Sequence, residues 1–230
     1  MAETILYGTR LSPFVEKVAL ALALKKVAFR LVPPSSPMDL KKWNPQTGKI
    51  PVIDLGGERL WDSTLILARL EERFPDPPLY SKDPAVAAAQ RLLEDWSDES
   101  LYWYVMALRW TRKNAPASVS QIVAGLSAFI RPVARLVLPR QIGRMPWAQG
   151  LGRLPDGVLV RELGHRLDDL VTLLGRSRFF HDNAPSAADL ALYGQFATMR
   201  SGPTPEAEGL LDERPALADF MKRVEEATGG

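Results

Sequence analysis

A serine at position 12 stands where the sequence could give its hydroxyl a chemical use. An apolar run ends at Tyr7, a short polar turn follows, and Ser12 and Pro13 directly precede the helical spacing of Val15, Val18, Ala19 and Leu22. Serine suits the cap of a helix, and proline suits its first position. The unpaired N–H groups and the positive end of the helix dipole then converge near the Ser12 hydroxyl, and such a place stabilises an anion.

Pro51 marks a second place of chemical interest, in the run NPQTGKIPVI from residue 44 to 53. A proline at the start of a strand removes a donor that the sheet would use. A cis Ile50–Pro51 bond would turn the Ile50 N–H and C=O away from the sheet, towards a ligand. The alternative is a plain proline between a loop and an edge strand, because cis bonds make up only about 5–6% of X–Pro bonds.

Asp62 and Ser63 stand between an apolar run and a helical pattern, so one or both are expected to cap that helix. The functional interpretation is that the helix start binds a carboxylate through the Ser63 hydroxyl and N–H, while Asp62 pairs with an ammonium. Together they could hold the two charged groups of an amino-acid head. With a peptide backbone along Ile50-Pro51 and an anion at Ser12, the three places outline a short acidic peptide that carries a thiol.

The elements that must position these residues alternate in the first 75 residues. The patterns predict strands at 5–7, 28–32, 50–55 and 59–61, the last two joined by a tight Gly56-Gly57 turn. They predict helices at 13–24 and 63–74 and a short one at 39–43. A helix between the first two strands favours a parallel pair, and the hairpin is antiparallel. The expectation is a small mixed sheet.

After the prolines at 75–78 the patterns are helical. Helices are predicted at 85–112, 118–140 with a kink at Pro132, 156–174, 186–199 and 215–227. Ser186 and Asp189 have a capping-box spacing at the start of the fourth of these. The chain is therefore predicted to have an α/β domain at 1–78 followed by an all-helical domain at 85–230.

Composition excludes several kinds of chemistry. The 230 residues are 46% hydrophobic and 24% charged, as in an ordinary globular protein. The lack of cysteine excludes disulfides, thiolate metal ligands and a protein-thiol redox cycle, and two histidines argue against a histidine-rich metal site. No apolar run reaches the roughly 20 residues that span a bilayer, and the first residues lack a secretory signal pattern. A cytoplasmic location is the expectation.

Charge is distributed unevenly along the chain. Residues 100–155 contain eight lysines and arginines and no acidic residue, while residues 156–230 contain eight basic and 13 acidic residues. This basic stretch is either a solvated helical surface or a field that attracts an anionic ligand, an acidic protein or a membrane surface. Nucleic acid is not expected as a partner, because no recognisable binding motif accompanies the basic residues.

Four motifs in this order resemble the cytosolic glutathione transferases, nearly from end to end. They are SPF with Lys17 in the first helix, NPQTGKIPVI, WDS at 61–63 and SAADL at 186–190. Residues 150–195 also resemble, more weakly, the helical domain of metaxin-related and bacterial stress-associated members. The resemblance implies a thioredoxin-like N-terminal domain with a four-stranded mixed sheet, an all-helical C-terminal domain, glutathione as co-substrate and a homodimer.

Carried over position by position, the resemblance implies that Ser12 stabilises the glutathione thiolate. It implies that Ile50, next to cis-Pro51, pairs with the cysteinyl backbone, that Asp62 and Ser63 hold the γ-glutamyl head, and that Phe14 of the SPF motif belongs to the same site. It assigns Ser186 and Asp189 a structural role.

The expected mechanism depends on the acidity of the thiol. A free thiol has a pKa of about 8.5, and lowering it by about two units requires roughly 2.7 kcal/mol of differential stabilisation. A hydrogen bond to a charged acceptor contributes about 1.5–3 kcal/mol, and a helix N-terminus contributes up to about 1 kcal/mol. Ser12 would therefore need no base. Tyr7 is the rival hydroxyl, with packing in the strand as its alternative role.

Serine instead of cysteine excludes a mixed disulfide at position 12 and leaves conjugation to an electrophile, peroxide reduction or isomerisation open. The second substrate, a small hydrophobic electrophile, is expected between the domains, against Tyr104 and Leu108 in the aromatic stretch 96–110. Core packing is the alternative for those side chains. The alternative function is a non-catalytic binding or scaffold protein of the same fold that uses the basic region 100–155.

Overall fold

A four-stranded mixed sheet forms the first part of the computed structural model, which describes residues 3–111 and 113–229. Its strands lie in the order β2-β1-β3-β4, with β1 parallel to β2 and antiparallel to β3, and β3 antiparallel to β4. This arrangement confirms the predicted thioredoxin-like sheet. The elements are β1 (Ile5–Tyr7), α1 (Pro13–Leu24), β2 (Arg30–Val32), α2 (Pro37–Trp43), β3 (Val52–Leu55), β4 (Glu58–Trp61) and α3 (Ser63–Arg73).

The second part is helical, apart from one isolated bridge between Phe179 and Asp182. A five-residue π-helical turn, Ser97–Leu101, joins its first two helices, and a short 3-10 turn, Leu151–Arg153, follows its fourth. The division of the chain into an α/β domain that ends at residue 78 and a helical domain that begins at residue 85 stays a proposal. The helices are α4 (Pro84–Trp96), α5 (Tyr102–Arg109), α6 (Ala115–Ala124), α7 (Arg131–Gln149), α8 (Asp156–Leu174), α9 (Ala187–Ser201), α10 (Pro205–Asp212) and α11 (Pro215–Thr228).

The structure corrects the prediction of one kinked helix at 118–140. Two helices, α6 and α7, are found there, and the chain turns between them at residues 125–130. Pro132 lies in the first turn of α7, where its missing N–H costs nothing, so it begins a helix instead of bending one. Helix α10 was not predicted, and the predicted helix 85–112 includes the π-helical turn. Arg112, its predicted last residue, lies outside the described residues.

Helices α1 and α9 form the closest packing between the two parts of the chain. A Cβ atom added at Gly194 in α9 would lie 2.5 Å from the Pro13 carbonyl oxygen, so the bare glycine lets the two helices meet. The capping box at the start of α9 is present as predicted. The Asp189 carboxylate accepts hydrogen bonds from the Ser186 N–H at 2.7 Å and the Ser186 hydroxyl at 2.6 Å. Through the contact of Gly194 with Pro13, helix α9 of the second part supports the N-terminus of α1.

Two hydrophobic clusters fill the interior. The main one includes residues from the sheet, α1 and α3 together with residues from α4, α5, α8, α9, α10 and α11. A smaller one lies among α5, α6 and α7 and contains Trp110, Val119, Val123, Leu126 and Ala134. Helices α6 and α7 thus pack as a unit with a small core of their own. Within the described residues, no helix is both long enough and apolar enough to cross a membrane.

Candidate functional site

A cavity of about 250 Å³ brings together five residues predicted from the sequence as ligand-binding. Three separate segments of the first part contribute them: the start of α1, the loop before β3 and the start of α3. The tertiary fold therefore places these segments around one space, as the outline of a bound peptide required. The five residues are Phe14, Ile50, Pro51, Asp62 and Ser63.

The Ile50–Pro51 peptide bond is cis. Neither the N–H nor the C=O of Ile50 is hydrogen-bonded to another described residue. Buried Asn44 holds the loop before it, because its amide donates to the Thr47 hydroxyl at 2.7 Å and to the Lys49 carbonyl at 3.2 Å. The loop thus presents the Ile50 main chain at the cavity, where it can pair with a peptide.

Asp62 and Ser63 form the start of α3. One Asp62 carboxylate oxygen accepts hydrogen bonds from the Thr64 N–H at 3.1 Å and the Leu65 N–H at 3.2 Å, so Asp62 caps its own helix. Asp62 has φ 76° and ψ 122°, a conformation that non-glycine residues adopt mainly where a site requires it. The Ser63 N–H and hydroxyl find no partner among the described residues, and Ser63 is buried at the cavity. Such a helix start can bind a carboxylate.

Three acidic residues that the sequence analysis missed also line the cavity: Asp95, Asp98 and Glu99. They lie at the end of α4 and in the π-helical turn. With Asp62 they contribute four carboxylates to the lining, and Lys49 is the one basic side chain among the described lining residues. The acidic run at 94–99 in a helix predicted to follow the sheet domain was the available signal. This distribution favours a ligand that presents an ammonium to the acidic residues and places its carboxylates only at Lys49 and the start of α3.

Lys17 is completely buried in α1 and lies next to Asp98, one of these acidic residues. Its ammonium is 2.7 Å from an Asp98 carboxylate oxygen and 2.5 Å from a Glu94 oxygen. Burial raises the pKa of Asp98 to about 6, against the opposing effect of Lys17. Burial acts to lower the pKa of Lys17, but Asp98 and Glu94 outweigh it and the net pKa is raised. Lys17 therefore stays charged and anchors α4 to α1.

Glu94 links this ion pair to two further elements. Its carboxylate accepts a hydrogen bond from the Thr64 hydroxyl at 3.2 Å and one from the Tyr80 hydroxyl at 2.6 Å. Thr64 also receives a 3.2 Å hydrogen bond from the Lys17 ammonium. Since Thr64 follows Ser63, the buried network fixes the start of α3 against α1 and α4.

Ser12 occupies the cap position of α1, as predicted, and is half-buried. Its C=O accepts the first helical hydrogen bond from the Glu16 N–H at 3.0 Å, but its hydroxyl does not cap the helix. The hydroxyl is therefore not consumed by capping. Ser12 is not part of the cavity lining, although Phe14, two residues further, is. Its role as thiolate stabiliser stays a prediction.

The rival hydroxyl of Tyr7 is engaged elsewhere. It donates a hydrogen bond to the Asp54 carboxylate at 2.9 Å on the neighbouring strand, and the Arg59 guanidinium lies 5.2 Å from its ring centre. Burial and the contact with Asp54 raise the pKa of Tyr7. This geometry corresponds to the packing role that the sequence analysis gave as the alternative for Tyr7.

Tyr104 and Leu108, predicted for the second-substrate pocket, are both buried in the main core. The Arg166 guanidinium covers the Tyr104 ring at 4.1 Å. Neither side chain lines the cavity, so their position is the one that the core-packing alternative describes. A part in second-substrate binding stays a prediction. The aromatic contact next to the cavity is instead Phe14 with Tyr102, at 4.9 Å between ring centres.

Fold and cavity together define a class of protein: a thioredoxin-like domain joined to a helical one, with a cis-proline loop at a charged cavity. Residues 6–78 match the family described as "Glutathione S-transferase, N-terminal domain". A probable glutathione transferase of Aplysia californica is 34% identical over 90 residues, which are 36% of this chain and 92% of that protein.

Two other relatives match with different coverage. A probable glutathione S-transferase of Solanum tuberosum is 37% identical over 95 residues, 40% of this chain but only 43% of that protein. The isoprene-epoxide–glutathione S-transferase of Rhodococcus sp. (strain AD45) is 26% identical over 227 residues, 93% of this chain and 91% of that protein.

Solved structures extend the likeness over nearly the whole chain. The β-etherase LigF from Sphingobium sp. strain SYK-6 has a TM-score of 0.71 and 21% identity, covering 97% of this chain and 95% of LigF, a likeness of fold. A glutathione S-transferase from Methylobacterium radiotolerans in complex with glutathione sulfonate has a TM-score of 0.63 and 26% identity, covering 97% and 91%. The chain belongs to the glutathione S-transferase family, whose members are transferases with glutathione as co-substrate, which confirms the sequence-based identification.

Proposed function

We propose that this chain is a glutathione transferase that activates the glutathione thiol for attack on a small hydrophobic electrophile. The observation that carries the proposal is the meeting of the cis Ile50–Pro51 loop and the Ser63 helix start at one cavity. The family supports glutathione, and the cavity offers matching groups for its main chain and its charged ends.

Glutathione has a γ-glutamyl head with an ammonium and a carboxylate, a cysteinyl centre and a glycyl carboxylate. The γ-glutamyl carboxylate binds the Ser63 N–H and hydroxyl, and its ammonium faces Asp62 and the acidic wall of Asp95, Asp98 and Glu99. The cysteinyl main chain pairs with Ile50. Lys49, the basic lining residue, takes the glycyl carboxylate.

The sulfur then lies towards the start of α1, where the Ser12 hydroxyl donates a hydrogen bond to the thiolate. The thiol proton leaves to solvent, and the sulfur lone pair forms a bond to an electrophilic carbon. With an epoxide, the carbon–oxygen bond breaks and the oxygen takes a proton from water. An epoxide is a suitable first electrophile, because the Rhodococcus relative is named for isoprene epoxide.

Binding and turnover are tested separately. Retention on glutathione-agarose and a higher thermal midpoint in millimolar glutathione are expected for the unaltered chain and should be lost in the double variant Asp62→Ala, Ser63→Ala. Ser120→Ala is a matched control, because Ser120 is exposed on α6 and outside the cavity lining. Conjugation is measured with isoprene monoxide and with a chlorinated nitrobenzene. Absence of any stabilisation by glutathione would contradict the proposal.

A two-fold homodimer and a cytoplasmic location are further parts of this proposal. They are supported by family membership. Sedimentation equilibrium of the purified chain measures the first, and fractionation of cells that express it measures the second. A monomer at micromolar concentration would contradict the proposed assembly.

A further inference from the structure

Exposed apolar side chains are concentrated in one short part of the chain. Of the eleven large hydrophobic residues that are exposed in the described structure, seven lie between residues 129 and 154. An exposed apolar cluster of this kind marks a surface that meets a partner. The seven are Phe129, Val133, Leu136, Val137, Met145, Trp147 and Leu154.

Helix α7 arranges most of them along its outer face. Ala134, Leu138 and Ile142 belong to the small cluster with α5 and α6, so this side of α7 faces inward. The opposite side is formed by residues spaced three, four or seven apart, which share one face of a helix. We name it the α7 stripe; it consists of Val133, Leu136, Val137, Arg140, Arg144 and Trp147, all exposed.

The α7 stripe is cationic as well as apolar. Arg140 and Arg144 lie within it, and Arg131 and Arg135 are exposed on the same helix. The Arg153 guanidinium lies 5.7 Å from the Trp147 ring centre at the far end. Residues 100–155 contain no acidic residue that could offset these charges locally. Arginine stems can lie on apolar surface while their charged ends reach polar groups.

We propose that the α7 stripe docks the protein on the surface of an anionic lipid bilayer. A helix with large apolar and aromatic side chains among arginines lies in the interfacial plane of such a bilayer. The stripe runs along the exposed side of one helix for about 21 Å at 1.5 Å per residue, so the whole length of the stripe can lie along a lipid surface. Anionic headgroups provide the counter-charges that this part of the chain lacks.

The test uses the full chain and vesicles that sediment or float. We expect binding to phosphatidylcholine vesicles with about a third phosphatidylserine, and weaker binding as salt is raised. Phosphatidylcholine alone should bind weakly. Equal binding to both vesicle types, or no binding to either, would overturn the proposal without the use of any variant.

Matched variants separate the stripe from net charge. Arg140→Gln with Arg144→Gln should weaken binding roughly 30-fold, since each arginine near an anionic surface contributes about a fivefold factor. The control Arg176→Gln with Arg178→Gln removes the same charge from exposed sites outside the stripe and should leave binding unchanged. Equal loss in both pairs would show that net charge alone is responsible and would overturn the proposal.

A second pair tests the apolar part. Leu136→Ser should weaken vesicle binding about tenfold, while Leu173→Ser, at a similarly exposed leucine of α8 (63% and 57%), should not. Thermal midpoints and glutathione conjugation of both variants serve as fold controls. If the unaltered chain ignores vesicles but self-associates through Leu136, the occupant is a second copy, and the membrane proposal fails.

Discussion

At the scale of single residues, the candidate chemistry depends on the Ser12 hydroxyl, which has no hydrogen-bond partner among the described residues. The Ser12 hydroxyl caps nothing, whereas the Tyr7 hydroxyl is bound to Asp54. The Ser63 N–H is likewise left over, because Asp62 has taken the two N–H groups that follow it. A bound ligand can supply the missing hydrogen-bond partners of such groups, since buried polar groups in a folded protein otherwise find partners within it.

Ser12→Ala should retain glutathione binding and raise the pH midpoint of conjugation by about one to two units. In the unaltered chain, a hydrogen bond of about 1.5–3 kcal/mol from Ser12 to the thiolate lowers the thiol pKa. The variant loses this bond, so the thiol pKa rises. The pH–rate profile of the conjugation step measures it. Tyr7→Phe is the control and should leave the midpoint in place; a shift in Tyr7→Phe with none in Ser12→Ala would exchange their roles.

Asp98 should make glutathione binding depend on pH. Burial raises its pKa to about 6, so the acidic wall gains a negative charge as the pH rises from 5 to 7. Attraction for the γ-glutamyl ammonium should then strengthen a few-fold, as measured by calorimetric titration. Asp98→Asn should flatten this dependence. Asp168→Asn should not, because the hydrogen bond from Arg214 lowers the pKa of Asp168 and keeps it ionised throughout.

The same pKa shift has a stability consequence of opposite sign. An unfolded aspartate titrates near 4, so between about pH 4 and 6 the folded protein binds the Asp98 proton more tightly than the unfolded chain does. Asp98 by itself therefore makes folding less favourable as the pH rises through that window. Asp98→Asn should remove this slope from the free energy of unfolding in urea.

At the scale of elements, the contact between α1 and α9 determines where the α1 start lies. Gly194 faces the Pro13 carbonyl, one residue from Ser12. The buried Lys17–Glu94–Asp98 group holds the other side of α1 against α4. Breaking a buried ion pair is costly because it leaves an uncompensated charge. The helical part thus contributes both a close backbone contact and an ionic contact to α1.

Gly194→Ala should lower the free energy of unfolding by roughly 1–3 kcal/mol, because its methyl group would lie 2.5 Å from the Pro13 oxygen and the helices must separate. It should also reduce conjugation through displacement of Ser12. Gly209→Ala in α10 is the matched control: apart from its chain neighbours and its own helix backbone, no described atom lies within 4 Å of its added Cβ, so helix propensity should stabilise it by up to about 1 kcal/mol. Urea denaturation measures both, and equal effects would refute the packing argument.

At the scale of the whole molecule, the main core does not stop where the sheet domain ends. One cluster contains Leu6 of β1, Leu22 of α1, Phe196 of α9 and Phe220 of α11. The sheet part and the helical part are therefore buried against each other where they meet, and these surfaces are not exposed to solvent. Helices α6 and α7, with their own small cluster and outward stripe, are the exception.

The continuous core predicts that sheet and helical part unfold together. Tryptophan fluorescence and far-UV circular dichroism should give coincident urea transitions, because neither part keeps a complete core without the other. If α6 and α7 unfold before the rest of the chain, their unfolding accounts for the earliest part of the signal change. Two well-separated transitions that each involve about half of the secondary structure would contradict this prediction.

The sequence by itself determined the local features. Prolines and glycines gave the turns, apolar spacing gave the elements of the sheet domain, and the motifs around Ser12, Pro51 and Ser63 indicated the candidate site before any fold was known. These signals act within a few residues, through capping, backbone restriction and periodicity. The same local signals did not separate α6 from α7, because a proline that kinks a helix and one that begins a helix look alike in sequence.

Only the tertiary structure decided what meets across long stretches of chain. Lys17 and Asp98 are 81 positions apart, yet they form a 2.7 Å pair beneath the cavity. Asp95 and Glu99 line the cavity, whereas Tyr104 and Leu108 are in the core. The difference depends on which side of this helical stretch faces the cavity and which side faces the interior. Such contacts depend on the packing of whole helices, whose rotation no local pattern specifies, and so the acidic wall and the outward stripe of α7 became visible only in three dimensions.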